Sequence, residues 1–168
     1  MVRRWFAVAR TLVVAPLFVS LWMWFLPRWL AGREAFHELR PTGWLVIAVG
    51  LAIMAACVAV FAWIGRGTPA PFDPPRHLVV AGPYRFVRNP MYIGMGIALL
   101  GEAIAYPRLA RVLGGEAVVA FVLVSILIVV YEEPALRTAF GSAYDAYCRQ
   151  VPRWRPRLTP FDNRNSAA

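Results

Sequence analysis

Two short polar segments interrupt a chain that is otherwise close to hydrocarbon in character: RHLVVAGPYRFVRNPMYIG at 76–94, and the pair Glu132 and Glu133 followed at once by Pro134. In the first, Asn89 and Pro90 precede an apolar run and are the favoured residue types for an N-cap and a first helical position. A helix starting there offers free backbone N–H groups and a partial positive charge beside Arg88, which suits a carboxylate or another anionic group. In the second, two carboxylates end an unbroken apolar run, a costly placement unless they face a polar cavity or a partner. Glu132 is expected to face inward, where it can accept from hydroxyl or amino groups. The competing role is structural: acidic residues before a proline suit a helix start, and Glu133 can pair with Arg137 one turn on. Which glutamate acts is left open. Arg76 and Arg85 are expected to snorkel to lipid phosphates, leaving Arg88 as the functional arginine of this segment. Glu102, inside another apolar stretch, is a secondary candidate that either acts within the membrane or pairs with Arg108.

These groups need a frame, and composition says what kind. A chain of 168 residues that is 60% hydrophobic and 16% charged is too apolar for a soluble domain. Apolar stretches run over 5–26, 44–64, 91–106 and 112–131. Crossing ~30 Å of hydrocarbon takes about 20 residues. The third stretch covers only about 24 Å as a straight helix, so it is shallow or half of a tight hairpin closed at Pro107 and Arg108. The expected fold is all-α: a polytopic membrane protein with about four transmembrane helices. The first stretch follows Arg3 and Arg4 but has no small-x-small cleavage pattern, and is taken as an uncleaved helix kinked at Pro16.

All 18 basic residues are arginine. With the N-terminus cytoplasmic, that side carries Arg3, Arg4, Arg10, Arg66, Arg76, Arg85, Arg88 and the six arginines from Arg137 to Arg164. Arg28, Arg33, Arg40, Arg108 and Arg111 fall outside, so the positive-inside rule puts both termini and both polar segments in the cytoplasm. Arginines that sort by topology, with no basic helix interleaved with aromatics, exclude a nucleic-acid partner. Cys57 and Cys148 have no metal spacing and are read as unpaired thiols, and no metal site is expected.

Between the second and third stretches, GRGTPAPFDPP at 65–75 reads as an extended linker. It divides the chain into an N-terminal transmembrane hairpin, 1–66, and a region at 67–168 that carries the polar segments. After Pro134, Leu136, Phe140, Tyr144, Tyr147 and Val151 define one helical face, predicting a C-terminal amphipathic helix along the cytoplasmic interface that roofs a site between the spans. Residues 163–168 are expected to be a disordered end. Gly94, Ala98 and Gly101 on the third helix permit close packing against a neighbour, while oligomeric state is left open.

The first segment, followed after one apolar hairpin by YEEPALRTAFGSAYDAYCRQVPRW, resembles the isoprenylcysteine carboxyl methyltransferase family and its phospholipid methyltransferase relatives, over roughly 76–154. The resemblance implies a cytoplasm-facing pocket for S-adenosylmethionine and a lipid-linked or amphiphilic substrate arriving from the bilayer. It carries His77, Gly82, Tyr84, Arg88, Pro90, Tyr92 and Gly94 over from the first motif and Glu132 and Glu133 from the second. Many relatives have His where this chain has Asn89, which can hydrogen-bond but cannot titrate near neutrality. Methyl transfer suits the residue types, because the cofactor brings its own activated methyl and the protein must chiefly bind, align and exclude water. Arg88 and Glu132 are the expected catalytic positions. The cofactor-binding set is His77, Gly82, Tyr84, Asn89, Pro90, Tyr92, Gly94, Glu132 and Glu133. Competing readings are an NADPH-dependent membrane reductase of the sterol reductase type and a non-catalytic scaffold of the same fold.

Overall fold

Proline starts both of the first two described helices, at the position where its missing N–H has no helical acceptor to lose. Helix α1 is Pro41–Val60 and opens at its end into a wider π turn, Phe61–Gly65. Helix α2 is Pro90–Ala105. A 3-10 turn, Pro107–Leu109, reverses the chain into α3, Ala110–Leu127, which continues through a π segment, Ile128–Glu132. Two short helices follow, α4 at Glu133–Phe140 and α5 at Ser142–Gln150. These elements come from a computed structural model that describes residues 40–65 and 77–161 together with Phe25, Leu26 and Trp29. The expected first span, apart from Phe25 and Leu26, lies outside the described residues, as do the linker beyond Gly65 and the end at 163–168.

Among the described residues every regular element is helical. Two helical stretches are long and apolar enough to cross a membrane, Pro41–Val60 and Pro107–Phe140, and Pro90–Ala105 is shorter, as its length in the sequence requires. The hairpin closes at Pro107 as expected.

Helices α1 and α2 meet backbone to backbone. A Cβ on Gly43 would stand 2.5 Å from the Gly101 carbonyl oxygen, and one on Gly50 would stand 2.5 Å from that of Gly94. The Arg40 N–H donates to the Ala105 carbonyl at 2.9 Å, closing the far end of the pair. The stripe Gly94, Ala98 and Gly101 therefore finds its neighbour inside the chain. Without bulky side chains between them, the two backbones gain dispersion contact in a setting where water supplies no driving force.

The loop before α2 is fastened to α1. Gly82 takes φ +55°, a left-handed conformation that glycine adopts without steric cost, and leads into a 3-10 turn, Gly82–Arg85. That turn buries Tyr84 against Cys57 and Val79, with the Phe61 ring edge-on at 5.3 Å.

The tail departs from expectation. Gly141, at φ +52° and ψ −130°, breaks the expected amphipathic helix into α4 and α5. Its apolar stripe is turned inward: Tyr144, Tyr147 and Val151 are buried with Phe161, and Leu136 and Phe140 pack on them alongside Leu78 and Val80. A stripe at helical spacing looks the same whether it meets lipid or its own chain, and here the chain supplies the partner. Residues 152–161 then form a strap along the first polar segment. Arg88 N–H donates to Pro152 O at 3.0 Å, Arg157 N–H to Phe86 O at 2.9 Å, and Phe161 N–H to Arg85 O at 2.9 Å. Arg85, expected to snorkel, instead donates through Nε to Phe161 O at 2.7 Å.

Candidate functional site

The start of α2, the end of α3, α5 and the strap converge on one polar cluster. The π segment Ile128–Glu132 delivers both glutamates to it, since the extra residue in that turn shifts the helical phase of the residues after it, a device frequent at functional sites.

Glu133 is the centre. Its side chain is 6% exposed, and Oε1 accepts from Arg88 Nη1 at 3.1 Å and from Arg153 Nε at 2.8 Å. Oε2 lies 3.6 Å from Arg137 Nη2, and Arg137 also reaches Asp145 at 3.3 Å. A buried carboxylate is tolerable only when paired and hydrogen-bonded, and three guanidinium groups meet that condition. The hydrogen bond to Glu133 in turn holds the Arg153 pKa above its ordinary value. The i to i+4 pair of Glu133 with Arg137 foreseen from the sequence is present, although Glu133 and not Glu132 is the more deeply buried member.

Glu132 has a different environment. It accepts a 2.6 Å hydrogen bond from the Tyr92 hydroxyl and forms no ion pair among the described residues. A carboxylate has about four acceptor sites, so most of its capacity remains. Tyr92 lies on the first turn of α2, ahead of the first bond of that turn, Ile93 N–H to Asn89 O at 3.3 Å, so the Met91 and Tyr92 amides are helix-start donors.

Arg88 links the two motifs. Besides Glu133, its Nη1 lies 3.0 Å from Cys148 Sγ, while its Nε is buried with no hydrogen-bond partner. Asn89 occupies the N-cap position, yet its side chain caps nothing: Nδ2 donates to Arg153 O at 3.3 Å and ties the strap to the helix start. The tyrosines behind the cluster stay neutral. Burial pushes the hydroxyls of Tyr84, Tyr144 and Tyr147 upward, and Tyr147 donates to Tyr84 O at 2.7 Å.

Of the residues singled out from sequence, Arg88, Asn89, Tyr92, Glu132 and Glu133 come together here, with Pro90 buried at the base of α2. The others sit elsewhere. His77 is exposed at the start of the described loop, Tyr84 packs toward Cys57, and Gly94 faces Gly50, Ile53 and Met54 of α1, where its lack of a side chain serves helix packing. Gly82 shapes the turn that seats Tyr84. Glu102 is buried near the hairpin end of α2.

Arg153 and Cys148 escaped the sequence reading as site residues. Both lie within the tail motif, but nothing in their spacing announces that the strap folds back over α2. Glu116 on α3 also escaped it: the residue is buried, and neither carboxylate oxygen has a hydrogen-bond partner. At 16 residues before Glu132 it lies roughly 24 Å away along the helix, outside the cluster.

Residues 39–143, more than half of the chain, match the family model described as phospholipid methyltransferase. No curated protein and no solved structure matches the chain. The matched stretch runs from α1 into α5, so it holds Arg88, Tyr92 and both glutamates and stops short of the strap.

Proposed function

The chain belongs to the phospholipid methyltransferase family, and from that premise we propose that it transfers a methyl group from S-adenosylmethionine to a lipid-linked or amphiphilic acceptor at the cytoplasmic face of the membrane. The observation that carries this reading is the division of labour between the two glutamates. Glu133 is saturated by arginines and positions them, whereas Glu132, held by Tyr92 alone, keeps acceptor capacity for a ligand.

The residues fit the cofactor on one structural point in particular. The buried Arg88 Nε has no acceptor within the protein, and a carboxylate of cofactor or substrate would satisfy it. Glu132 suits the ribose hydroxyls or the amino group, and the Met91 and Tyr92 amides add to the positive potential at the start of α2. When bound, the cofactor supplies a methyl group already activated on a sulfonium. The protein's own contribution is alignment and dryness. Glu133 fixes the Arg88 fork, Tyr92 fixes the Glu132 rotamer, and the strap holds Arg88 and Asn89 through the Pro152 and Arg153 carbonyls.

Asn89 bears on the acceptor. A carboxylate or thiolate attacks without a base, whereas an ammonium must first lose a proton. Asn89 cannot take that proton, and its amide is engaged by Arg153, so an amine acceptor would have to use Glu132. In the same reading, 67–168 forms the catalytic region behind the hairpin at 1–66, and four spans place both termini in the cytoplasm.

Calorimetric titration of the detergent-purified chain tests the proposal, with S-adenosylmethionine and NADPH run in parallel. Micromolar binding of S-adenosylmethionine alone is expected, with loss of binding in Glu132→Ala and Arg88→Ala proteins that remain helical by circular dichroism. NADPH binding instead would move the chain to the reductases, and binding of neither ligand would leave a scaffold.

A further inference from the structure

The apolar stripe expected to lie on the membrane is buried in the chain, so another surface must meet the headgroups at this end. We propose that the strap at 152–161 is the membrane-docking surface, and that its partner is the anionic phospholipid headgroup layer of the cytoplasmic leaflet.

Position comes first. The Trp154 ring lies against Phe121, tilted by 47°, with ring centroids 5.0 Å apart. Phe121 belongs to the outward face of α3, where Val118, Val119, Val122 and Leu123 are also exposed, an apolar face suited to lipid once the helix is in a bilayer. It lies 11 residues before Glu132, about 16 Å down the helix. Arg153 of the same strap holds Glu133 at the helix end. Trp154 thus sets this part of the strap against the outward face of α3, while the bonds of Arg157 to Phe86 O and of Phe161 to Arg85 O hold the rest to the loop before α2.

Chemistry comes second. Leu158 is 99% exposed, an arrangement that water disfavours and acyl chains reward. Arg155 is exposed, Arg157 is half-buried, and neither pairs with a carboxylate among the described residues. The Arg157 backbone is fixed by its bond to Phe86 O. Two guanidinium groups without a carboxylate partner, two residues apart, and a bare leucine beside them match a lipid phosphate with its chain below. A protein partner would have to offer an acidic and apolar surface at the same depth. The three arginines of the strap thus divide: Arg153 is neutralised by Glu133 and serves the site, while Arg155 and Arg157 are left for the membrane. The inference rests on the membrane reading and the strap geometry and is independent of methyl transfer.

The test uses the full-length chain in nanodiscs and detergent, comparing wild type with Arg155→Gln/Arg157→Gln and with Leu158→Ser. Phosphatidylglycerol and phosphatidylcholine are offered in equal amounts, and the lipid retained through purification is counted by native mass spectrometry. A basic residue near an anionic surface contributes a factor of about five, so wild type should retain the anionic lipid at least ~5-fold over the zwitterionic one, and the double variant should approach parity. Leu158→Ser should lower retention of both lipids alike. Equal retention by wild type, or an undiminished preference in the double variant, overturns the proposal. So does a concentration-dependent mass shift lost in the variants, which would assign the surface to a second copy. Binding of S-adenosylmethionine is read on the same samples, so failure of the lipid arm and failure of the methyltransferase reading are told apart.

Discussion

The α1–α2 face and the polar cluster are the two most constrained parts of the described structure, and they are constrained by opposite means. Along α1 and α2 the contact is backbone against backbone, and its only requirement is that nothing protrude at Gly43, Gly50, Gly94 and Gly101. In the cluster the contact is charge against charge, and each group depends on another being present: Glu133 on three arginines, Arg88 on Glu133, Glu132 on Tyr92. The first region holds a frame and offers a ligand no polar atom. The second retains unused capacity at Glu132 and at Arg88 Nε. Rigidity from shape beside capacity from charge is the division expected when a helix pair sets the position of a site without taking part in it.

The contrast breaks hardest on the packing side. In Gly50→Val the new Cβ would stand 2.5 Å from the Gly94 carbonyl and 2.6 Å from the Ala98 nitrogen, both backbone atoms that cannot step aside. The helices must separate along their length, which costs about 3 kcal/mol or more and removes the platform on which Arg88 and Tyr92 stand. Expected is loss of monodisperse protein in size-exclusion chromatography. A variant that purifies with an unchanged thermal midpoint would refute the close approach.

On the charge side, the two glutamates should respond differently. Glu133→Ala leaves Arg88, 14% exposed, and Arg153, one-third exposed, facing each other without their shared acceptor. Loss of a buried partner costs about 3–5 kcal/mol, and the access of Arg153 to solvent argues for about 3. Glu132→Gln preserves the shape, can still accept from Tyr92 and should cost under about 1 kcal/mol. Thermal midpoints in detergent should therefore fall by several degrees for the first and scarcely for the second, while S-adenosylmethionine binding falls in both. The opposite order of midpoints would exchange the roles given to the two residues.

A smaller effect is expected where the strap meets α3. Trp154→Ala removes the ring packed against Phe121, worth about 0.5–1.5 kcal/mol beyond its area, with Arg153 and the backbone bonds to Arg85, Phe86 and Arg88 left in place. A modest drop in thermal midpoint with binding retained is expected. Complete loss of binding would mean that the ring, and not Arg153, holds the strap closed.

How far the sequence foretold the structure obeys the same division. Apolar length and proline placement made α1, the short α2, the turn at Pro107 and the helix after it legible, because each depends on local composition. That the two polar motifs share one side of the fold was expected from the arginine distribution and from the family resemblance, whereas the direct pairing of Arg88 with Glu133 was not. The hidden features depended on tertiary choices with no local mark. The stripe from Leu136 to Val151 has the same spacing whether it meets lipid or Phe161, and only the fold decides. Gly141 lies within the stretch expected to be one continuous helix, and its positive φ breaks that helix. Asn89 looked like a cap, yet its amide is taken by Arg153 from a strap whose path no periodicity encodes. Glu116 stood in an apolar run with no nearby partner to draw notice.

The smallest effect separates the two demands that a glycine on α2 can answer. Gly94 and Gly96 are two residues apart on one helix, so they point to different faces. A Cβ on Gly94 would meet the Gly50 carbonyl oxygen at 2.9 Å, whereas one on Gly96 would meet nothing within 4 Å. Glycine inside a helix is less stable than alanine by roughly 0.5–1 kcal/mol, because it has more backbone freedom to lose on folding. Gly96→Ala should recover about that amount and raise the thermal midpoint slightly. Gly94→Ala, with the same propensity gain, should lower it, because the new methyl must displace a carbonyl that cannot move without α1. Opposite signs from identical chemistry two residues apart would locate the frame in the α1–α2 contact. Equal signs would mean that α2 is set by its own helical preference, and the small residues facing α1 would then be incidental to where Arg88 and Tyr92 are held.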